Sequence, residues 1–164
     1  MIKQTYPITE QLILNALQLA QQLYQELNRE ADALKNLHQA ELISSIAANK
    51  KQLVVQLEQF NTQIAQVLAT EKLPNDQDSI KEYFNRAETA GLSTAESAGN
   101  WTQLMLVCAE CRNLNEQNGA GIDLLSRHTK RSLDILKGKP EFANTYGSDG
   151  SAQSDRYSRT LISV

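Results

Sequence analysis

Cys108-Ala109-Glu110-Cys111 places two thiols three residues apart, and on a helix both face one side, as a metal site or redox pair would need. A structural zinc takes four ligands, yet there is no second cysteine pair, His128 lies well downstream and His38 belongs to another segment. A thioredoxin-like pair opens a helix after a strand, whereas here the helical pattern runs on both sides. Both cysteines therefore read as small core residues, and no metal or cofactor is expected. Asn118-Gly119-Ala120-Gly121 offers a Gly-x-Gly without the third glycine and preceding strand of a phosphate cradle. Each glycine costs a helix about 1 kcal/mol against alanine, so the pair reads as a hinge or a close helix approach. Glu26, Glu30 and Asp32 lie among polar residues, with no sign of the burial a general acid or base needs. These residues point to a binding protein and not to an enzyme.

The elements that carry them are helices. Apolar residues make up 41% of the 164 positions but aromatics only 5%, with 7 glycines and 3 prolines, a composition for long helices and not for turn-rich sheets. The net charge of -3 argues against nucleic acid or an anionic membrane as the partner. Charge is uneven: from Arg127 onward seven basic residues face four acidic ones, which suits a C-terminal region with partners of its own. Residues 1–7 lack a signal-peptide apolar core, and no stretch approaches the ~20 apolar residues that span a bilayer. A cytoplasmic protein without membrane insertion is expected, in keeping with only two cysteines.

Pro7 and Thr9 flank the start of a seam through Ile13, Leu17, Ala20, Tyr24, Leu27, Ala31 and Leu34, spaced by fours and threes. A second seam runs through Ile43, Ile46, Lys50, Leu53, Leu57, Phe60, Ile64 and Val67. The two are out of phase by about half a turn, which predicts a break between about Asn36 and Ala40 and an antiparallel hairpin. Leu73-Pro74 ends the second helix. Ser79 with Glu82 reads as a capping box for a short helix that stops at Gly91 and lids one end of the bundle. Ser93 with Glu96 repeats the box, and a third long helix runs from about Thr94 to Lys137 before Gly138 and Pro140. Residues 139–164 hold too few apolar groups to offset ordering, so a flexible tail is expected there. The predicted fold is all-α: an elongated antiparallel bundle of three long helices and one short one over residues 1–138, followed by that tail.

One amphipathic face is left over. Ile122, Leu125, Leu133 and Leu136 share a side of the last helix, while Leu124 and Ile135 form a second strip. Periodicity reads alike for a face that binds a partner and a face covered by the short helix. Asn115 and Asn118, one turn apart beside the apolar stripe, suit either fixing helix register or contacting a partner.

Asn113-Leu114-Asn115-Glu116-Gln117-Asn118-Gly119, Leu133-Asp134-Ile135-Leu136-Lys137, Thr145-Tyr146-Gly147-Ser148-Asp149-Gly150 and the closing Leu161-Ile162-Ser163-Val164 resemble the FlgN family in order and spacing. Glu30, Leu34 and Lys50-Lys51-Gln52-Leu53 look like its first two helices, and Ala120-Gly121 stands where bulkier residues are usual. The resemblance implies a cytosolic chaperone of flagellar type III export whose cargo is the two hook-filament junction proteins, FlgK and FlgL. It implies cargo contacts at the face of Ile122, Leu125, Leu133 and Leu136, to which the residue reading adds Ile135 from the second strip and Asn118, and export-gate docking through the Tyr-Gly-x-x-Gly of Tyr146, Gly147 and Gly150. A monomer or weak homodimer fits such a role; a structural helical adaptor without a client is the other reading.

Overall fold

The computed structural model describes residues 1–36, 39–138 and 161–164. Four helices follow in order: α1 (Ile2–Leu34), α2 (Ala40–Thr70), α3 (Gln77–Thr89) and α4 (Ala95–Leu136), with no strand among the described residues. The break between α1 and α2 falls where the two apolar seams lose phase; His38 lies outside the described residues.

α1 is the centre of the bundle, and both α2 and α4 pack along it. Because it is flanked on two sides, its buried stripe is wider than a single seam and turned by one residue: Leu23 and Glu30 are buried, whereas the predicted Tyr24 is exposed and Ala31 only half-buried. α1 starts before Pro7, which lies inside the helix and not at its entrance. Proline there removes one backbone hydrogen bond. Tertiary anchoring offsets it, since the buried Tyr6 donates through its hydroxyl to Ser93 O at 2.8 Å and lies 3.0 Å from Ser97 Oγ.

α2 runs antiparallel to α1, as the pairings Thr5 with Glu71 and Glu30 with Lys50 require. α4 returns parallel to α1 at a constant offset of 91 residues, which joins Tyr6 to Ser97, Ala20 to Cys111 and Leu27 to Asn118. That offset is a multiple of seven, so one heptad register holds along the whole contact.

The short helix caps the end of the bundle where α1 begins. Tyr83 Oη donates to Thr5 Oγ1 at 3.1 Å, and Thr5 Oγ1 donates to Glu71 Oε1 at 2.7 Å, tying α3, α1 and the end of α2 together. Its N-cap is Asp76, whose Oδ1 accepts from Ser79 N at 2.8 Å. Ser79 is therefore inside the helix and buried, and Glu82 pairs with Arg86 in place of closing a box. Ser93 likewise does not cap α4; Thr94 takes that position. α2 ends three residues before Leu73, where Lys72 adopts a φ of +57° and Leu73 N bonds back to Leu68 O at 2.8 Å. This is the hairpin-like helix stop usually built on glycine, here without one. Gly91 (φ +85°) and Gly138 (φ +68°) fill the same left-handed position after α3 and α4.

One expectation fails at the extreme C-terminus. Leu161 and Ile162 are buried in the core cluster and not part of a free tail. Burying two such side chains contributes about 1.5–3 kcal/mol each, while ordering four backbone residues costs about 1–2 kcal/mol each. Two backbone bonds to Asn61, at 3.2 and 3.3 Å, add to the gain and bring the docking close to balance.

Candidate functional site

Near the end of α1, at the last buried level of α4, a polar cluster is built into the helix seams. Glu30 is only 1% exposed, so the reading of it as a solvated acid is overturned. Its seam position between Leu27 and Leu34 buries it, and the carboxylate is compensated from two helices. Lys50 Nζ donates to both oxygens at 2.9 and 2.8 Å, and Asn118 Nδ2 donates to Oε2 at 2.9 Å. Asn118 Nδ2 also bonds Leu27 O at 2.9 Å, and Asn115 Oδ1 accepts from Lys50 at 3.3 Å. Both amides thus fix the register of α4 against α1 and α2. Asn118 is itself buried at 4% exposure, which withholds it from direct contact with a cargo chain and separates it from the other predicted cargo residues.

Beyond Asn118 no residue of α4 is buried. Gly121 sits at Leu34, the last residue of α1: a Cβ there would lie 3.6 Å from Leu34 Cδ1, an ordinary contact, and one on Gly119 would meet nothing. Neither glycine is demanded by packing; both weaken α4 as it leaves α1. Lys50 beside Asn115 sets α2 against α4, and counting roughly ten residues outward along each helix brings the start of α2 near Leu125. The rest of α4, to Leu136, projects about 16 Å past both partners.

The projection carries the predicted apolar residues. Ile122, Leu125, Leu133 and Leu136 share one side, with Leu125 half-buried, Leu133 46% exposed and Leu136 83% exposed. Leu124 and the 63% exposed Ile135 form the second strip. The short helix does not cover this surface, because α3 sits at the opposite end of α1. Five of the six predicted cargo residues are therefore brought together on one helical segment. Tyr146, Gly147 and Gly150 lie outside the described residues.

The thiols belong to the core. Cys108 and Cys111 are free and buried, and Cys111 Sγ lies 3.5 Å from Ala20 O. Burial pushes the Cys108 thiol up to about 11 and that of Cys111 to about 12, the latter helped by Cys108 and Glu110. Among the described residues no group of three or more His, Cys, Asp or Glu is placed to hold a metal ion, and no helix is long and apolar enough to cross a membrane.

Sequence reasoning missed Asn61 and the docked C-terminus. Asn61 adjoins Phe60 on the apolar edge of α2, but one amide beside a seam gives no sign of the segment it holds. No curated protein and no solved structure matches the chain. The model of the FlgN protein family does match, over residues 5–154. That span takes in α1 from Thr5 onward and the whole of α2, α3 and α4, with the buried register amides and the apolar projection, so the chain belongs to the FlgN family of flagellar export chaperones.

Proposed function

We propose that this chaperone acts in the cytoplasm, holds the hook-filament junction proteins FlgK and FlgL, and delivers them to the flagellar export gate. The observation that carries the reading is the projecting end of α4, a helix whose apolar side has left the bundle and meets no other described helix. A client terminus that is disordered when free and apolar at helical spacing covers such a face by pairing with it, which keeps the client from self-association. The neighbouring side chains Arg127, His128, Lys130 and Arg131 surround the apolar strip with polar and positive groups that keep it soluble. Release then needs only that the gate compete for one helix side.

Calorimetric titration with the terminal segments of FlgK and FlgL tests this. The double variant Leu133→Asp/Leu136→Asp should abolish measurable binding while melting at the temperature of the parent chain. Unchanged binding by that variant would remove the projection from the proposal. Failure of the parent chain to bind either segment would remove these clients.

A further inference from the structure

The end of the chain occupies a groove of its own fold. α2 and α4 both lean on α1 and meet each other chiefly through side chains, such as Phe60 and Trp101 with ring centroids 6.4 Å apart. Residues 161–164 lie in the channel this leaves, between Leu57 and Asn61 on α2 and Met105 and Cys108 on α4. Leu161 and Ile162 point into the core, and Ser163 is exposed.

The recognition is that of a peptide site. Asn61 Nδ2 donates to Ile162 O at 3.2 Å while Ile162 N donates to Asn61 Oδ1 at 3.3 Å, so one side-chain amide pairs with both backbone groups of a single residue as a neighbouring strand would. Such pairing reads an extended backbone, and the apolar walls read its side chains. The channel is also longer than its occupant. Next to Val164 it opens into a cavity of about 400 Å³ lined by Leu23, Leu27, Val54, Val55 and Lys50.

We infer that the α2–α4 channel is a binding site for a short apolar peptide in extended form, and that the chain's own last four residues occupy it reversibly in cis. Reversibility follows from the near balance between burying two side chains and ordering four residues. Chain length permits the return. From Leu136 back to the level of Met105 is about 47 Å along α4, and the intervening 24 residues can reach about 80 Å.

The test uses a labelled pentapeptide with the sequence of residues 160–164, titrated by fluorescence anisotropy into the full chain and into a chain ending at Thr160. The shortened chain should bind the peptide, and the full chain should bind it about twofold more weakly, because a terminus docked near balance fills the channel about half of the time. Ile162→Asp in the full chain should restore peptide binding without any truncation. Asn61→Leu in the shortened chain should lose about tenfold in affinity, the equivalent of two backbone hydrogen bonds, at an unchanged melting temperature. Equal affinity of the full and shortened chains, or no binding by either the shortened chain or the Ile162→Asp chain, overturns the inference. So does a full-length dimer that becomes monomeric on truncation, since the terminus would then sit in a second copy.

Discussion

Asn118 donates its amide to the Glu30 carboxylate over 2.9 Å, across 88 positions of sequence, and so joins α4 to α1 at the last level where the bundle is closed. Lys50 completes the cluster from α2. The three helices of the bundle are locked together at one height by a buried charge that none of them could hold alone.

Breaking this cluster on one side is therefore expensive. Glu30→Ala leaves Lys50 with only Asn115 Oδ1 and no counter-charge, and Asn118 with only Leu27 O. It should destabilise the chain by about 3 kcal/mol, the low end for a buried pair because Lys50 keeps 18% of its side chain in solvent. Glu30→Leu combined with Lys50→Met removes both charges and should fall within about 1 kcal/mol of the parent. Urea denaturation of the three chains measures both; equal losses in the single and double variants would mean that the pair does not govern stability.

The cysteines give a prediction in pH. Each thiol holds its proton more tightly when folded, near 11 for Cys108 and 12 for Cys111 against 9.0 for an ordinary thiol. Raising the pH through this range ionises the unfolded thiols first, so stability present below about pH 9 should fall between pH 9 and 12. The difference in urea midpoint between the parent and Cys108→Ala/Cys111→Ala should shrink across that window. In the folded chain at pH 8, neither thiol should react with iodoacetamide on the timescale of a denatured control.

On the projection of α4, folding and binding are separable. Leu133→Ala and Ile135→Ala should each cost less than about 0.5 kcal/mol of stability, since both side chains are exposed on a stretch of α4 where nothing is buried. Leu133→Ala should cost about 1–4 kcal/mol of client affinity. Ile135, on the opposite strip, separates a client that covers one side from one that wraps the helix: loss in both variants means wrapping, and loss in Leu133→Ala alone means one-sided contact. Leu104→Ala, from the fully buried core, serves as the contrast and should cost about 2–5 kcal/mol of stability.

Helix order and the break after α1 were legible because out-of-phase seams and the punctuation at Gly91 and Gly138 are local signals. The burial of Glu30 was not, because a helix packed on two sides buries a stripe wider than one seam, and only the partners at Lys50 and Asn118 make a charge tolerable there. Lys72 ends α2 in a conformation that sequence reserves for glycine. The exposure of Leu133 and Ile135 depends on where α1 and α2 stop relative to α4. That is fixed by the 91-residue offset and not by anything in the pattern of α4 itself. The docked terminus was hidden for the opposite reason: two adjacent apolar residues carry no periodicity, and the channel that receives them exists only once three helices have packed.

The last prediction concerns Tyr146. It stands in Tyr146-Gly147-Ser148-Asp149-Gly150, a stretch with no apolar periodicity around it, and the family resemblance implies that it docks on the export gate. Tyr146→Ala should then leave the melting temperature within about a degree of the parent, consistent with the small effect of a change outside a packed core. Client affinity should be equally unmoved, because the projecting face of α4 is intact. Secretion of the junction proteins from cells carrying only this variant should fall severely, and Tyr146→Phe should recover it in part if the ring supplies the contact. A variant that secretes normally would detach the tyrosine from delivery. A variant that melts several degrees early would show that the ring packs on the bundle, and any secretion loss would then be one of folding.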